Sequence, residues 1–319
     1  MRRCRVVRRT CQRVGMLMRG LFCLAMAAVS CVMLLACGQQ NAGVEQTSAE
    51  QTVGPSAPAI AEGVPATKEV SPGQTVSAPP PVTIAVTYDN NPYDDRLRTA
   101  RGFSCLVRLP ERTILFDTGG DSSILLHNME RLQIDPREID VVVLSHIHGD
   151  HVGGLGGILD QNSDVVVYLP VSLPQGLKDD ISRYGAEVQE VDEPRELFDG
   201  VYTTGELDGG IREQSLIVKT DEGLIVITGC AHPGVVNVVR RAREVAGDRV
   251  YLLIGGFHLG GASASKIESI IDDFEQMGVE RVAACHCSGD TARALFQEHY
   301  GEGYIECGVG RRIALPLEG

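Results

Sequence analysis

Four residues within six positions, His146, His148, Asp150 and His151, carry side chains that bind divalent metal ions. They follow directly on the apolar run Val141-Val142-Val143-Leu144. A strand ending in a turn can aim two imidazoles one residue apart at one ion, and the next carboxylate and imidazole at a neighbouring ion. Three neutral imidazoles and a carboxylate suit zinc, as one ion or two, and iron or manganese also accept nitrogen and oxygen donors. A lone His-x-His turns up on ordinary surface strands, whereas four ligand types in this order at a strand end are specific. Three later segments carry the same chemistry: Gly229-Cys230-Ala231-His232-Pro233-Gly234, Gly255-Gly256-Phe257-His258 and Cys285-His286-Cys287-Ser288-Gly289. Cys285 and Cys287 lack the second pair that a structural zinc knuckle requires, and alternation predicts that both point away from His286. His127 and His299 read as solvated surface residues.

These residues need elements to hold them. Val82–Val86, Ser104–Arg108 and Thr113–Phe116 read as strands, the last running into the turn Asp117-Thr118-Gly119-Gly120. Val141–Leu144, Val165–Tyr168, Ser215–Lys219, Leu224–Ile227, Val250–Ile254 and Val282–Ala284 read the same way. Helical patterns cover Ser122–Leu132, with Asp121 or Ser122 as N-cap, and then Gly176–Tyr184, Val235–Ala246, Ala264–Met277 and Thr291–His299. Two strand-rich halves with helices between them predict two sheets packed face to face and covered outside by helices. That is an α+β class with αββα layers, in one domain over residues 82–319.

Charge and composition divide the rest. The chain has 29 basic and 42 acidic residues, and seven of the basic ones are arginines among the first 36 positions. The strongly acidic body argues against nucleic acid as a partner and leaves a phosphate-bearing small molecule dependent on metal cations to be held. The arginines precede an apolar run, Leu21–Ala36, too short to span a bilayer comfortably. Leu34-Leu35-Ala36-Cys37-Gly38 resembles a bacterial lipobox. The resemblance implies a signal peptide over 1–36, a lipid on Cys37 and an exported protein anchored to the membrane. Residues 37–81, rich in Gln, Ala, Ser, Thr, Gly and Pro, read as a tether without a core.

His146-x-His148-x-Asp150-His151, with Leu115-Phe116-Asp117-Thr118-Gly119 ahead of it, resembles the signature of the metallo-β-lactamase superfamily. The resemblance implies a two-metal site at one edge of the sandwich, with His146 and His148 on the first metal, Asp150 and His151 on the second, and Asp117 orienting the cluster. The sequence departs from the general pattern by having no histidine between His151 and His232, and by ending the strand Leu224–Thr228 in Gly-Cys-Ala-His. Together with Asp89-Asn90-Asn91 and Gly102-Phe103-Ser104, this resembles a subgroup named for 7,8-dihydropterin-6-yl-methyl-4-(β-D-ribofuranosyl)aminobenzene 5′-phosphate synthase. Carried over residue by residue, His232 completes the first site and His258 the second, and His286 contacts substrate or acts as general acid. Cys230 either replaces the bridging aspartate as a thiolate or packs as a small buried residue.

A metal pair lowers the pKa of bound water from about 16 towards 7 and polarises an electrophile. The expectation is a hydrolase that directs metal-bound hydroxide at an ester, with a phosphoester ahead of a carboxylic ester or lactam, Asp150 orienting the nucleophile and His286 assisting the leaving group. Two alternatives stay open. One is a metal-dependent transferase acting on a pyrophosphate-activated, pterin-like substrate; the other is a non-catalytic, zinc-binding lipoprotein.

Overall fold

The computed structural model describes residues 82–316; the expected signal peptide and tether, and positions 317–319, lie outside the described residues. Val82–Tyr88 (β1), Ser104–Arg108 (β2), Thr113–Phe116 (β3), Val141–Val143 (β4), Val166–Pro170 (β5) and Glu187–Val191 (β6) form one sheet with Arg312–Leu315 (β13). Its order is β13-β1-β2-β3-β4-β5-β6, antiparallel up to β3 and parallel from β3 to β6. The second sheet contains Arg195–Phe198 (β7), Val201–Thr203 (β8), Leu216–Thr220 (β9), Gly223–Thr228 (β10), Val250–Gly256 (β11) and Arg281–Cys285 (β12). Its order is β12-β11-β10-β9-β8-β7, and β10, β11 and β12 run parallel.

The two-residue period of the strands sorts their side chains into layers. Ile84, Phe116 and Val143 of the first sheet meet Ile225, Ile227, Ile254 and Ala283 of the second in a buried inter-sheet core. The alternate positions face outward under helices. Leu115, Val142 and Leu144 pack with Leu125 and Met129 of Ser122–Arg131 (α1), Ile158 of Leu155–Gln161 (α3) and Ile181 of Gln175–Tyr184 (α4). On the other side, Leu224, Val226 and Leu253 pack with Val238 and Val239 of Val235–Ala246 (α5), Phe274 of Ala264–Gln276 (α6) and Phe296 of Asp290–Tyr300 (α7). Each such buried aliphatic or aromatic side chain contributes on the order of 1.5–3 kcal/mol. The layers are therefore αββα, as expected.

Every expected strand and helix is present to within a residue or two, and Asp121 is the cap of α1, accepting from the Ile124 N–H at 3.0 Å. Four strands, β6, β7, β8 and β13, and two helices, Gly149–Val152 (α2) and α3, were not expected. The strands are short and partly exposed, with sequences such as EVQEV and RELF that carry little apolar alternation. The helices are masked by five glycines, of which Gly153, Gly154 and Gly157 act as packing residues: a Cβ on Gly154 would lie 2.1 Å from the Thr118 carbonyl oxygen.

Candidate metal centre

The ligand-type residues converge because each lies just past the carboxyl end of a strand. β3 delivers Asp117 and β4 delivers Ser145 and His146, while β10, β11 and β12 deliver the segments holding Cys230 and His232, His258, and His286. The parallel register of β10, β11 and β12 brings Thr228, Gly255 and the residues after them to one sheet edge.

Asp117 organises the first cluster from a fully buried position. Its carboxylate accepts from the Ser145 N–H and the Ser145 hydroxyl, both at 2.7 Å, and from His151 Nδ1 at 2.6 Å. Burial opposes charge on His151, but the adjacent Asp117 carboxylate draws its pKa above the ordinary value. Because the Ser145 hydroxyl proton goes to Asp117, its oxygen accepts from His146 Nδ1 at 2.8 Å. Burial and the neighbouring imidazoles push the pKa of His146 far down, so its ring is neutral. The backbone approaches so closely that a Cβ on Gly229 would sit 2.2 Å from Ser145 Oγ, which is why that strand must end in glycine.

His286 is held from the other side. Asp89 Oδ2 accepts from its backbone N–H at 3.0 Å, and Asn90 Nδ2 donates to its carbonyl at 2.8 Å. With the amide nitrogen of Asn90 spent on that carbonyl, its oxygen faces the ring and accepts from His286 Nδ1 at 2.8 Å. Burial and then His151 push the His286 pKa down to about 3, and burial raises Asp89 to about 6. Asp117, Ala231, His258 and His286 all adopt positive φ, a strain of order 1 kcal/mol or more each that clusters at functional sites.

Two donor sets result. His146 Nε2 lies 3.1 Å from His148 Nδ1, which lies 3.2 Å from His232 Nε2. His151 Nε2 lies 3.2 Å from His286 Nε2, and Asp150 Oδ2 is 3.7 Å from the same atom. The ligand atoms of His146, His148 and His232, and those of Asp150, His151 and His286, fall within 4.8 Å of one another as two groups. Cys230 lies between them, 4% exposed, with Sγ 3.3 Å from both His151 Nε2 and His286 Nε2.

The donor chemistry fits a cation. His151 Nδ1 is held by Asp117 and His286 Nδ1 by Asn90, so both rings turn Nε2 inward, 3.2 Å apart. In their neutral forms both Nε2 atoms offer lone pairs to a cation placed between them. A tetrahedral zinc with arms of about 2.0–2.1 Å spaces its nitrogens about 3.3 Å apart, close to the separations in both sets.

The sequence-based expectations are met unevenly. His146, His148 and His232 come together as expected, and so do Asp150 and His151. The pairing of His258 with those two is not met: His258 is exposed and stands by His232, with ring centroids 4.5 Å apart, and its ligand atom groups with Cys230 and His232. The reason is the turn after β11, where Gly255 and His258 both take positive φ, while the neighbouring strand β12 carries His286 to the position beside His151. Cys285 does point away, into the inter-sheet core, but Cys287 turns back to the cluster, and its Sγ accepts from the His258 N–H at 3.3 Å. A hydrogen bond with Cys230 and the contacts with His258 draw the Cys287 pKa down to about 7. His299 pairs with Glu275 at the surface.

Sequence reasoning missed Glu213, whose buried carboxylate accepts from the N–H groups of Cys230, Ala231 and His232 at 2.8–2.9 Å. It named Asn90 without giving it a role. An acid followed by two polar residues before a buried strand was the available signal for Glu213, but it resembles any strand entry. Removing the Asn90 amide frees the His286 ring, so Asn90→Ala is expected to lower metal affinity or turnover about 10–100-fold with little loss of fold, read by zinc titration and steady-state rates.

Comparisons with known proteins agree on the family. Residues 98–244 match the model of the metallo-beta-lactamase superfamily. The chain is 30% identical over 270 residues to the 7,8-dihydropterin-6-methyl-4-(beta-D-ribofuranosyl)-aminobenzene-5′-phosphate synthase of Methanocaldococcus jannaschii, covering 69% of this chain and 92% of that protein. It is similar to a solved metal-dependent hydrolase of the beta-lactamase superfamily, with 28% identity, a TM-score of 0.62 and coverage of 73% of this chain and 98% of that one. A diphosphatase of the PhnP family shares the fold, with a TM-score of 0.51 at 15% identity over 74% of this chain and 97% of that one.

Proposed function

The chain belongs to the metallo-β-lactamase superfamily and is an enzyme, and from that premise we propose that it is a metal-dependent hydrolase of ester substrates, phosphoesters before carboxylic esters. The observation that carries this reading is the pair of adjacent donor sets, one of three imidazoles and one of two imidazoles and a carboxylate, at a single sheet edge. His146, His148 and His232 would hold one ion and Asp150, His151 and His286 the other, with zinc the first choice and iron or manganese accepted by the same donors. Such ions supply Lewis acidity to a phosphoryl or carbonyl oxygen and acidify water.

The chain's own groups do the rest. Asp117 holds His151 through Nδ1 and, through Ser145, His146 likewise, so that both rings turn Nε2 towards the site. Asn90 does the same for His286, which moves that residue from the leaving group to the second donor set. Asp150 Oδ2, the oxygen nearest His286, also accepts from Arg101 Nε at 3.2 Å, and the carboxylate would orient the attacking water. The exposed Arg101 guanidinium is a cation on this rim of an acidic body, suited to a phosphate-bearing small molecule.

The export reading stays a proposal based on the arginines, the apolar run and Leu34–Cys37: a lipoprotein held at the membrane through Cys37. No helix of the described residues is long and apolar enough to cross a membrane.

A screen of phosphomonoesters, phosphodiesters and carboxylic esters tests the activity. Turnover of at least one class is expected, abolished by a chelator and restored by Zn2+. Tight zinc binding with no turnover on any class would favour the non-catalytic reading. One observation favours a transferase instead, namely the synthase name of the 30% identical relative. Pyrophosphate or phosphate release that requires an added acceptor would decide for it.

A further inference from the structure

Cys230 has neighbours that the two donor sets do not use. Its Sγ lies within 4.8 Å of the ligand atom of Cys287, in a group completed by His286, and of that of His258, in a group completed by His232. The two outer residues belong to one packed corner: the His258 N–H donates to Cys287 Sγ at 3.3 Å, and the Gly260 N–H donates to the Cys287 carbonyl at 3.1 Å. Space for the sulfur is reserved, since a Cβ on Gly256 would lie 2.7 Å from it. Cys285, two residues earlier, is by contrast sealed in the inter-sheet core. The corner opens outward, from Cys230 at 4% exposure through half-buried Cys287 to exposed His258.

Two sulfurs and an imidazole are a different donor class from the nitrogen and carboxylate sets beside them. Thiolates select soft and borderline ions, whereas the carboxylate set does not. We propose that Cys230, Cys287 and His258 form an accessory site for a thiophilic cation, such as Cd2+, Cu+ or Zn2+, at the mouth of the centre. Binding there releases the two thiol protons to solvent and leaves the sulfurs as thiolates, with Cys230 shared between this site and the histidine sets. The inference rests on the two-set reading of the centre but adds a position and a ligand class to it.

Cd2+ titration of the purified, reduced full chain tests it, because thiolate coordination gives an ultraviolet charge-transfer absorption that histidine and carboxylate do not. Wild type is expected to bind one more Cd2+ than Cys287→Ser, whose charge-transfer absorbance is lower by the contribution of one thiolate. His258→Ala, a change at an exposed position, is expected to weaken that Cd2+ at least about tenfold while keeping the band. Alkylation of Cys287 by iodoacetamide in the unaltered chain is expected to slow at least about tenfold when Cd2+ is present. An unchanged band and stoichiometry in Cys287→Ser, or alkylation that Cd2+ does not slow, overturns the proposal. Absence of ester turnover overturns the hydrolase reading alone, whatever the Cd2+ signal.

Discussion

Replacing His148 with alanine is expected to lower ester turnover by at least about 1,000-fold, equivalent to about 4 kcal/mol of transition-state stabilisation. His148 Nδ1 is the middle donor of its set, 3.1 Å from His146 Nε2 and 3.2 Å from His232 Nε2. Without it the remaining two nitrogens no longer define a site of three donors, and an ion held by fewer protein ligands is lost first. His148 is only half-buried and its ring makes no hydrogen bond outside the cluster, so the fold should survive the change. Circular dichroism and a thermal melt near that of the metal-free wild type check this, and zinc stoichiometry should fall with the rate. A variant that keeps its full rate and its zinc would remove His148 from the centre.

Glu213→Ala is expected to act in the opposite way, on stability before chemistry. One carboxylate accepts three consecutive backbone N–H groups, from Cys230, Ala231 and His232, and the Thr228 hydroxyl at 3.2 Å. The Cys230 and Ala231 groups are buried, so no water replaces the lost acceptor, whereas His232 is partly exposed. Each orphaned buried N–H costs about 1–3 kcal/mol, and the strained positive φ of Ala231 loses its restraint, for a total of about 3–5 kcal/mol. Urea denaturation reads this as a lower midpoint with little change in slope. Glu213→Gln should recover only part, since one of its two termini presents an N–H to a backbone N–H. Equal stability of all three proteins would show that the loop is held by something other than Glu213.

The contrast between these residues explains what was legible in the sequence. His148 announces itself because ligand chemistry, local spacing and strand position coincide within six residues. The αββα layers were legible for a similar reason: β4, β10 and β11 are apolar runs whose burial leaves little choice of role. Glu213, Asn90 and Cys287 act through contacts 15 to 196 residues away in sequence, and nothing local distinguishes their amide, acid or thiol from a surface group. The exchange between His258 and His286 has the same origin. Both follow parallel strands and both are good ligands, and which ring reaches His151 depends on how the chain turns after β11 and β12. The glycine-rich stretch after His151 was obscured because Gly153, Gly154 and Gly157 reflect close packing against Gly120, Thr118 and Ser122, the first two at the junction between α2 and α3.

The central claim is that two ions share this edge, one in each donor set. Anomalous scattering at the zinc edge, from crystals of the zinc-loaded chain, tests it most directly. A peak enclosed by His146, His148 and His232 is expected, with a second enclosed by Asp150, His151 and His286 and Cys230 Sγ between them. A single peak, or peaks that leave either set empty, would contradict it.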